Sequence, residues 1–147
     1  MRPGNDHCDA SADAALQRFV EHSLGRDDIH LNRIVGGASR ASFLVVGDPK
    51  QRPVAFLRVD EGRGALSGTS LHLVREAIVM RAMRQQGLPV PLIIAESSSP
   101  FAVLMDFLPG EARVDAASAE VVGRAYMGLI ARVHAVDPHA VRTNSRS

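Results

Sequence analysis

The chain has 147 residues, 46% of them hydrophobic and 22% charged, which fits one ordinary domain with one modest core. A net charge of +1 without a basic run excludes the concentrated basic face of a typical nucleic-acid or membrane-surface binder, so we expect neither partner. The sequence has no signal-peptide pattern and no apolar run of membrane-span length, and its single cysteine, Cys8, cannot form an internal disulfide, so we expect a cytoplasmic protein.

The first predicted elements are a helix and two strands. Residues 1–11 are small and polar, and we expect them to be disordered. Apolar residues at helical spacing then predict a helix from Ala12 to Leu24, with Gly25 ending it. The strands are expected at Ile29 to Val35 and Ala41 to Val46, separated by a turn of small residues.

A third strand is expected from Pro53 to Asp60, followed by a glycine-containing loop. The helix predicted from Ser70 to Gln86 has no internal Gly or Pro. Strands are then expected at Pro91 to Glu96 and Phe101 to Leu108, the second apolar enough to be central in the sheet. A final helix is predicted from Ala116 to Val136.

This order predicts an α+β fold, in which one helix packs on a five-stranded antiparallel sheet. The first and last helices lie outside that unit in sequence. The last helix has one apolar side. Its residues are Val121, Val122, Ala125, Leu129, Ile130 and Val133.

Two charged residues stand out against the apolar pattern. Alternation along the third strand places Arg58 on the same face as Phe56. Spacing in the following helix places Glu76 in a stripe with Leu73, Met80 and others. A buried charge without a partner is costly, so pairing of Arg58 with Glu76 is one interpretation. The alternative is that Glu76 lies at the margin of the stripe and Arg58 extends to water.

A glycine turn, a basic residue on the third strand and a helical Glu occur in the order found in kinase nucleotide lobes. Each feature alone has a simpler explanation, because a Gly-Gly turn is usually just a hairpin and Phe56 alone would usually be a core residue. The sequence contains no G-x-x-x-x-G-K-[ST] loop, and residues 36–41 do not match G-x-G-x-x-G.

Six short segments, in fixed order between residues 29 and 138, are more specific. They are Ile34-Val35-Gly36-Gly37-Ala38-Ser39-Arg40, Phe56-Leu57-Arg58, Leu73-Val74-Arg75-Glu76, Leu88-Pro89-Val90-Pro91, Phe101 to Glu111, and Ile130 to Pro138. These segments resemble motifs of the aminoglycoside phosphotransferase-like family, which includes choline kinase-like phosphotransferases. The resemblance implies a kinase-like N-terminal lobe at residues 12–110 and a linker with the first helix toward a C-terminal lobe at 111–138. Residues 139–147 are expected to be a loose tail.

The resemblance also implies how the phosphates of ATP would be bound. Gly36, Gly37 and Ser39 would cover the phosphates with backbone amides and a hydroxyl group. Arg58 would contact the α- and β-phosphates, with Glu76 as its partner. Many relatives have Lys at the position of Arg58, and a planar guanidinium does not fully mimic an ammonium group.

The nucleoside would lie beside the same strand, again by resemblance. Phe56 would stack on adenine, and Met105 would line the back of the pocket. The backbone C=O of Asp106 and N–H of Leu108 would bond the edge of the adenine ring.

The H-G-D-x-x-x-x-N segment and later metal-binding Asp that the family uses for phosphoryl transfer do not occur in the sequence. His134-Ala135-Val136-Asp137 has the wrong spacing to replace them. We therefore expect a truncated, inactive ATP-binding lobe that uses Mg²⁺ only if the missing lobe is supplied. By the same resemblance the last helix would dock on that lobe, so we expect its apolar side to be exposed here, which invites self-association. Its possible partners are a nucleotide, a separate C-terminal-lobe chain, or a second copy bound through the last helix.

Two other functions remain open from the sequence. The chain could be a non-catalytic nucleotide- or partner-binding module. It could also be an α+β interaction domain in which Arg58 and Glu76 are purely structural.

Overall fold

The computed structural model describes residues 10–34, 40–47, 52–62, 73–110 and 115–137. Three helices and five strands lie within these ranges and confirm the predicted α+β class. In chain order they are α1 (Ala10–Leu24), β1 (His30–Ile34), β2 (Ala41–Val46), β3 (Ala55–Val59), α2 (Leu73–Gln85), β4 (Ile93–Ser98), β5 (Phe101–Asp106) and α3 (Ala119–His134).

The five strands form one antiparallel sheet in the order β1-β2-β3-β5-β4. Strand β5 is therefore internal, as its nearly continuous apolar sequence predicts. Its neighbour β3 is separated from it in sequence by α2 and β4. This crossover brings the third strand against the segment that follows the Ser99–Pro100 turn.

Each face of the sheet is covered by a different helix. On one face, α1 packs over a core cluster through Leu16 and Val20, both nearly inaccessible to solvent. On the opposite face, α2 packs through Leu73 and Ala77. Residues 55, 57 and 59 of β3 are buried toward α1, so alternation directs residues 56 and 58 toward α2.

The helix boundaries differ from the predictions by a few residues. Helix α1 begins at Ala10, two residues before the predicted start, in a segment whose alanines favour helix. Helix α2 is described from residue 73, so the predicted residues 70–72 lie outside the described part of the chain. Helix α2 ends at Gln85, within one residue of the predicted end, and Gly87 follows with a φ of 73°, which suits glycine best.

The strand boundaries also shift where pairing ends. Strand β3 is shorter than predicted at both ends, and β5 ends at Asp106 instead of Leu108, before Pro109. Strand β4 begins and ends two residues later than predicted, because Ser97 and Ser98 pair with Ala102 and Phe101 of β5. Only Ser99 and Pro100 remain as the turn between β4 and β5.

Helix α3 differs from the other two because none of its residues is buried. Val121, Tyr126 and Met127 expose 61–71% of their surface. Of the apolar side that was expected to be exposed, Val121, Val122 and Ala125 are exposed, whereas Leu129, Ile130 and Val133 are half-buried. None of the described helices has the length and apolar character needed to cross a membrane.

Candidate functional site

Strand β3 places an aromatic ring and a guanidinium group on the face of the sheet that α2 covers. Phe56 lies directly opposite Met105 of β5, and Arg58 lies opposite Val103. Met105 is 4% exposed, and Phe56 packs against the same cluster, together with Met80 of α2. The floor of the site is therefore apolar, with a cation two residues along the strand.

Helix α2 supplies the carboxylate that pairs with Arg58. Nη1 of Arg58 donates to Oε1 of Glu76, which confirms the predicted pair. The two side chains are 30% and 27% exposed, so both remain in contact with solvent while they pair. Partial exposure lowers the desolvation cost that a fully buried ion pair would carry.

The predicted helix stripe needs one correction. The residues of α2 that are buried are Leu73, Ala77 and Ala82, so the contact with the sheet is centred beside the predicted Leu73–Met80 line. Glu76 lies at the edge of this contact. Glu76 therefore lies at the margin of the apolar contact and also pairs with Arg58, because this edge of α2 faces Arg58.

A second guanidinium, from Arg40, binds the other oxygen of the same carboxylate. Nη1 of Arg40 donates to Oε2 of Glu76, and the Arg40 side chain is only 14% exposed. Arg40 was not among the predicted site residues. Alternation puts it on the same face of β2 as Ser42, but its proximity to Arg58 follows from the register, in which Ser42 pairs with Arg58 and residue 40 is within diagonal reach.

The end of β5 is fixed by residue 92, which precedes β4. The Asp106 N–H donates to the Leu92 carbonyl at 2.9 Å, and the Leu92 N–H donates to Oδ1 of Asp106 at 2.5 Å. The four residues after Asp106 have no regular structure, and Leu108 is 52% exposed. The chain therefore leaves the sheet at the Met105 end of the apolar floor.

The remaining predicted site residues, Gly36, Gly37 and Ser39, lie outside the described residues. Arg40 is the first described residue after them. The structure brings together Phe56, Arg58, Glu76 and Met105, with Asp106 and Leu108 following on β5 and beyond.

A sequence profile of the phosphotransferase enzyme family matches residues 30–147, which is well over half of the chain. The chain belongs to this family. The matched segment of the chain begins at β1 and includes every element of the candidate site. Helix α1 precedes this segment. No curated protein and no solved structure matches the chain.

Proposed function

We propose that this member of the phosphotransferase enzyme family is the ATP-binding lobe of a kinase that phosphorylates a hydroxyl group of a small molecule. The observation that carries the proposal is the Arg58–Glu76 pair, set beside an apolar floor formed by Phe56 and Met105. A planar, permanently charged guanidinium matches phosphate oxygens, and an aromatic ring next to it matches a purine.

In this proposal Arg58, which faces the edge of α2, holds the phosphates. Arg58 keeps further N–H donors beyond the one it gives to Glu76, because a guanidinium has five. Backbone amides around Gly36 and Gly37, with the Ser39 hydroxyl, cover the phosphates from the neighbouring turn. Glycine permits this close approach of backbone to ligand.

The adenine lies over β3 and the end of β5. Phe56 stacks on the ring, and Met105 closes the back of the site. The Asp106 carbonyl and the Leu108 N–H bond the edge of the ring. The backbone of Asp106 is held by Leu92, which gives this end of the site a fixed geometry.

The described residues do not fit a Mg²⁺ site. Both oxygens of Glu76 are engaged by arginines, and no group of three His, Cys, Asp or Glu lies close together in the described ranges. No H-G-D-x-x-x-x-N segment occurs in the 147 residues. We therefore propose that these residues bind ATP but do not transfer its phosphoryl group by themselves.

Calorimetric titration of the chain with ATP tests this proposal. We expect saturable binding, weakened about tenfold by Arg58→Ala, because a charge-assisted contact to phosphate is lost. Arg81→Ala is the matched control, since Arg81 lies on α2 and pairs with Glu96 on the exposed side of the helix. Equal binding by the wild type and the Arg58 variant would contradict the proposed role.

A non-catalytic nucleotide- or partner-binding module is the second candidate, and α3 favours it. Several of its apolar residues are exposed, and Val122, Tyr126 and Leu129 line a groove of about 530 Å³ with Pro89. The contacts of α3 with the lobe include a hydrogen bond from Arg132 to the Gly87 carbonyl. A protein whose activity resides in ATP-dependent docking through α3 would bind ATP and a partner without any phosphorylation.

A further inference from the structure

We propose that Arg40 is a positioning residue that holds Glu76 away from a two-point clamp on Arg58, so that Arg58 stays available to phosphate. This inference rests on the proposed ATP-binding function. It assigns Arg40 a task distinct from direct contact with the ligand.

The geometry of the three charged groups carries the inference. Arg58 donates to Glu76 through one terminal nitrogen, Nη1, to Oε1 only. Oε2 of the same carboxylate accepts from Arg40. Each oxygen thus has its own guanidinium, and Arg58 is held at one point instead of two.

Another ion pair in this chain shows the alternative. Arg26 and Asp28 pair through two parallel hydrogen bonds, Nε to Oδ1 and Nη2 to Oδ2, each 2.7 Å long. A guanidinium and a carboxylate adopt this fork when both oxygens are available, because the two groups match in shape. Without Arg40, Oε2 of Glu76 would be available to complete such a fork with Arg58.

A two-point clamp would weaken phosphate binding in two ways. It would occupy a second nitrogen of Arg58 that otherwise faces the ligand. It would also fix the plane of the guanidinium to that of Glu76, which prevents the plane from turning toward a phosphate. Arg40 prevents both effects while it adds a positive charge close to the site.

Exposure favours positioning over direct contact. The Arg40 side chain is 14% exposed, whereas that of Arg58 is 30% exposed. The guanidinium with the greater solvent access is the one suited to meet a ligand from solution.

A double-mutant cycle separates the two roles of Arg40. Arg40→Gln should weaken ATP binding about tenfold in the wild-type background, the size expected for losing one charge-assisted hydrogen bond at Arg58. In a Glu76→Gln background, Arg40→Gln should change the affinity for ATP less than about twofold, because a neutral amide at residue 76 does not form the charged two-point clamp. Arg40→Lys should restore most of the affinity, since an ammonium group also donates to Oε2.

An equal loss from Arg40→Gln in both backgrounds would overturn the inference, because it would show direct contact between Arg40 and the nucleotide. No loss in either background would overturn it as well. Circular dichroism of each variant checks that the fold is retained. Failure of the wild-type chain to bind ATP would contradict the proposed function instead.

If the wild-type chain does not bind ATP, a measurement without nucleotide still tests the inference about Arg40. NMR of ¹⁵N-labelled arginine side chains, with Arg58 assigned through Arg58→Lys, reports rotation about its Nε–Cζ bond. Arg40→Gln should slow this rotation, because a two-point pair restrains the guanidinium plane more than a one-point pair. Unchanged or faster rotation would overturn the inference.

Discussion

Glu76 is the residue on which the charges of the site converge, because each of its oxygens accepts from a different arginine. Its spacing in α2 and the alternation in β3 left the pair with Arg58 as one of two interpretations, and the family resemblance favoured it. The contribution of Arg40 was not predicted, since its proximity to Arg58 follows only from the β2–β3 register. Periodicity assigns a face to each residue, but it does not tell which residues of separate strands lie opposite each other.

Glu76→Gln should lower the free energy of unfolding by about 1–2 kcal/mol, because two partly buried guanidinium groups lose their shared anion and repel each other. Urea denaturation measures this change. Arg81, on the same helix, forms a more exposed pair with Glu96 of β4. Arg81→Gln should lower the free energy of unfolding by less than about 1 kcal/mol. Equal effects of the two substitutions would show that the cluster has no special role in stability.

Phe56→Leu separates stacking from phosphate binding. Leucine keeps an apolar side chain opposite Met105 but lacks the ring, so the affinity for ATP should fall about fivefold to tenfold while that for inorganic tripolyphosphate stays unchanged. Calorimetric titration with both ligands checks this. Equal losses for the two ligands would indicate that Phe56 acts only through the fold.

At the scale of the elements, short-range patterns located every described strand and helix. Strand β2, the end of α1 and the start of β5 have the predicted bounds, whereas most other described ends moved by one to three residues where tertiary pairing replaced local preference. The adjacency of β3 and β5, and the packing of α1 on the face opposite α2, depend on contacts between distant segments. Hydrophobic spacing within one segment does not determine such contacts.

The start of α3 provides a prediction about pH. Oδ1 of Asp115 accepts hydrogen bonds from the side chain and from the backbone N–H of Ser118, the latter at 2.8 Å. The hydrogen bond from the Ser118 side chain, followed by that from its backbone, lowers the pKa of Asp115 below its ordinary value of 3.8. A lowered pKa means that this contact stabilises the helix start above pH 3.8 and that the stabilisation is lost as the pH falls through the lower, folded-state pKa.

NMR of the Ser118 amide during an acid titration measures this loss. The amide signal should move with the protonation of Asp115, below the pH at which an unperturbed aspartate titrates. Asp115→Asn is the control, because an amide oxygen still accepts the bonds but does not titrate. A transition at or above the ordinary aspartate pKa would contradict the assignment.

At the scale of the whole molecule, the described sheet and its two covering helices form one packed unit, and α3 presents apolar surface outside it. The exposed residues Val121, Val122, Tyr126 and Met127 lie within two turns of helix. Exposed apolar surface of this kind favours association in water. Exposure of this helix was expected from the family resemblance, because the helix would dock on the missing lobe, but Tyr126 and Met127 were not among the residues named.

We therefore expect the purified chain to self-associate as its concentration rises. Tyr126→Ser combined with Met127→Ser should reduce the association, because it removes two large exposed apolar side chains. Sedimentation velocity measures the effect, with Val79→Ala on α2 as a control for an exposed apolar residue elsewhere. A chain that remains monomeric at all accessible concentrations would rule out self-association through α3.

The central claim is that ATP binds against Phe56, Arg58 and Met105, and methionine methyl groups test it most directly. The five methionines include Met105 on the floor of the site, Met80 in the same cluster and Met127 on exposed α3. We predict that ATP shifts the ¹³C-methyl signal of Met105 saturably and leaves that of Met127 in place. A Met105 signal that stays unchanged up to millimolar ATP, or a shift confined to Met127, would contradict the account.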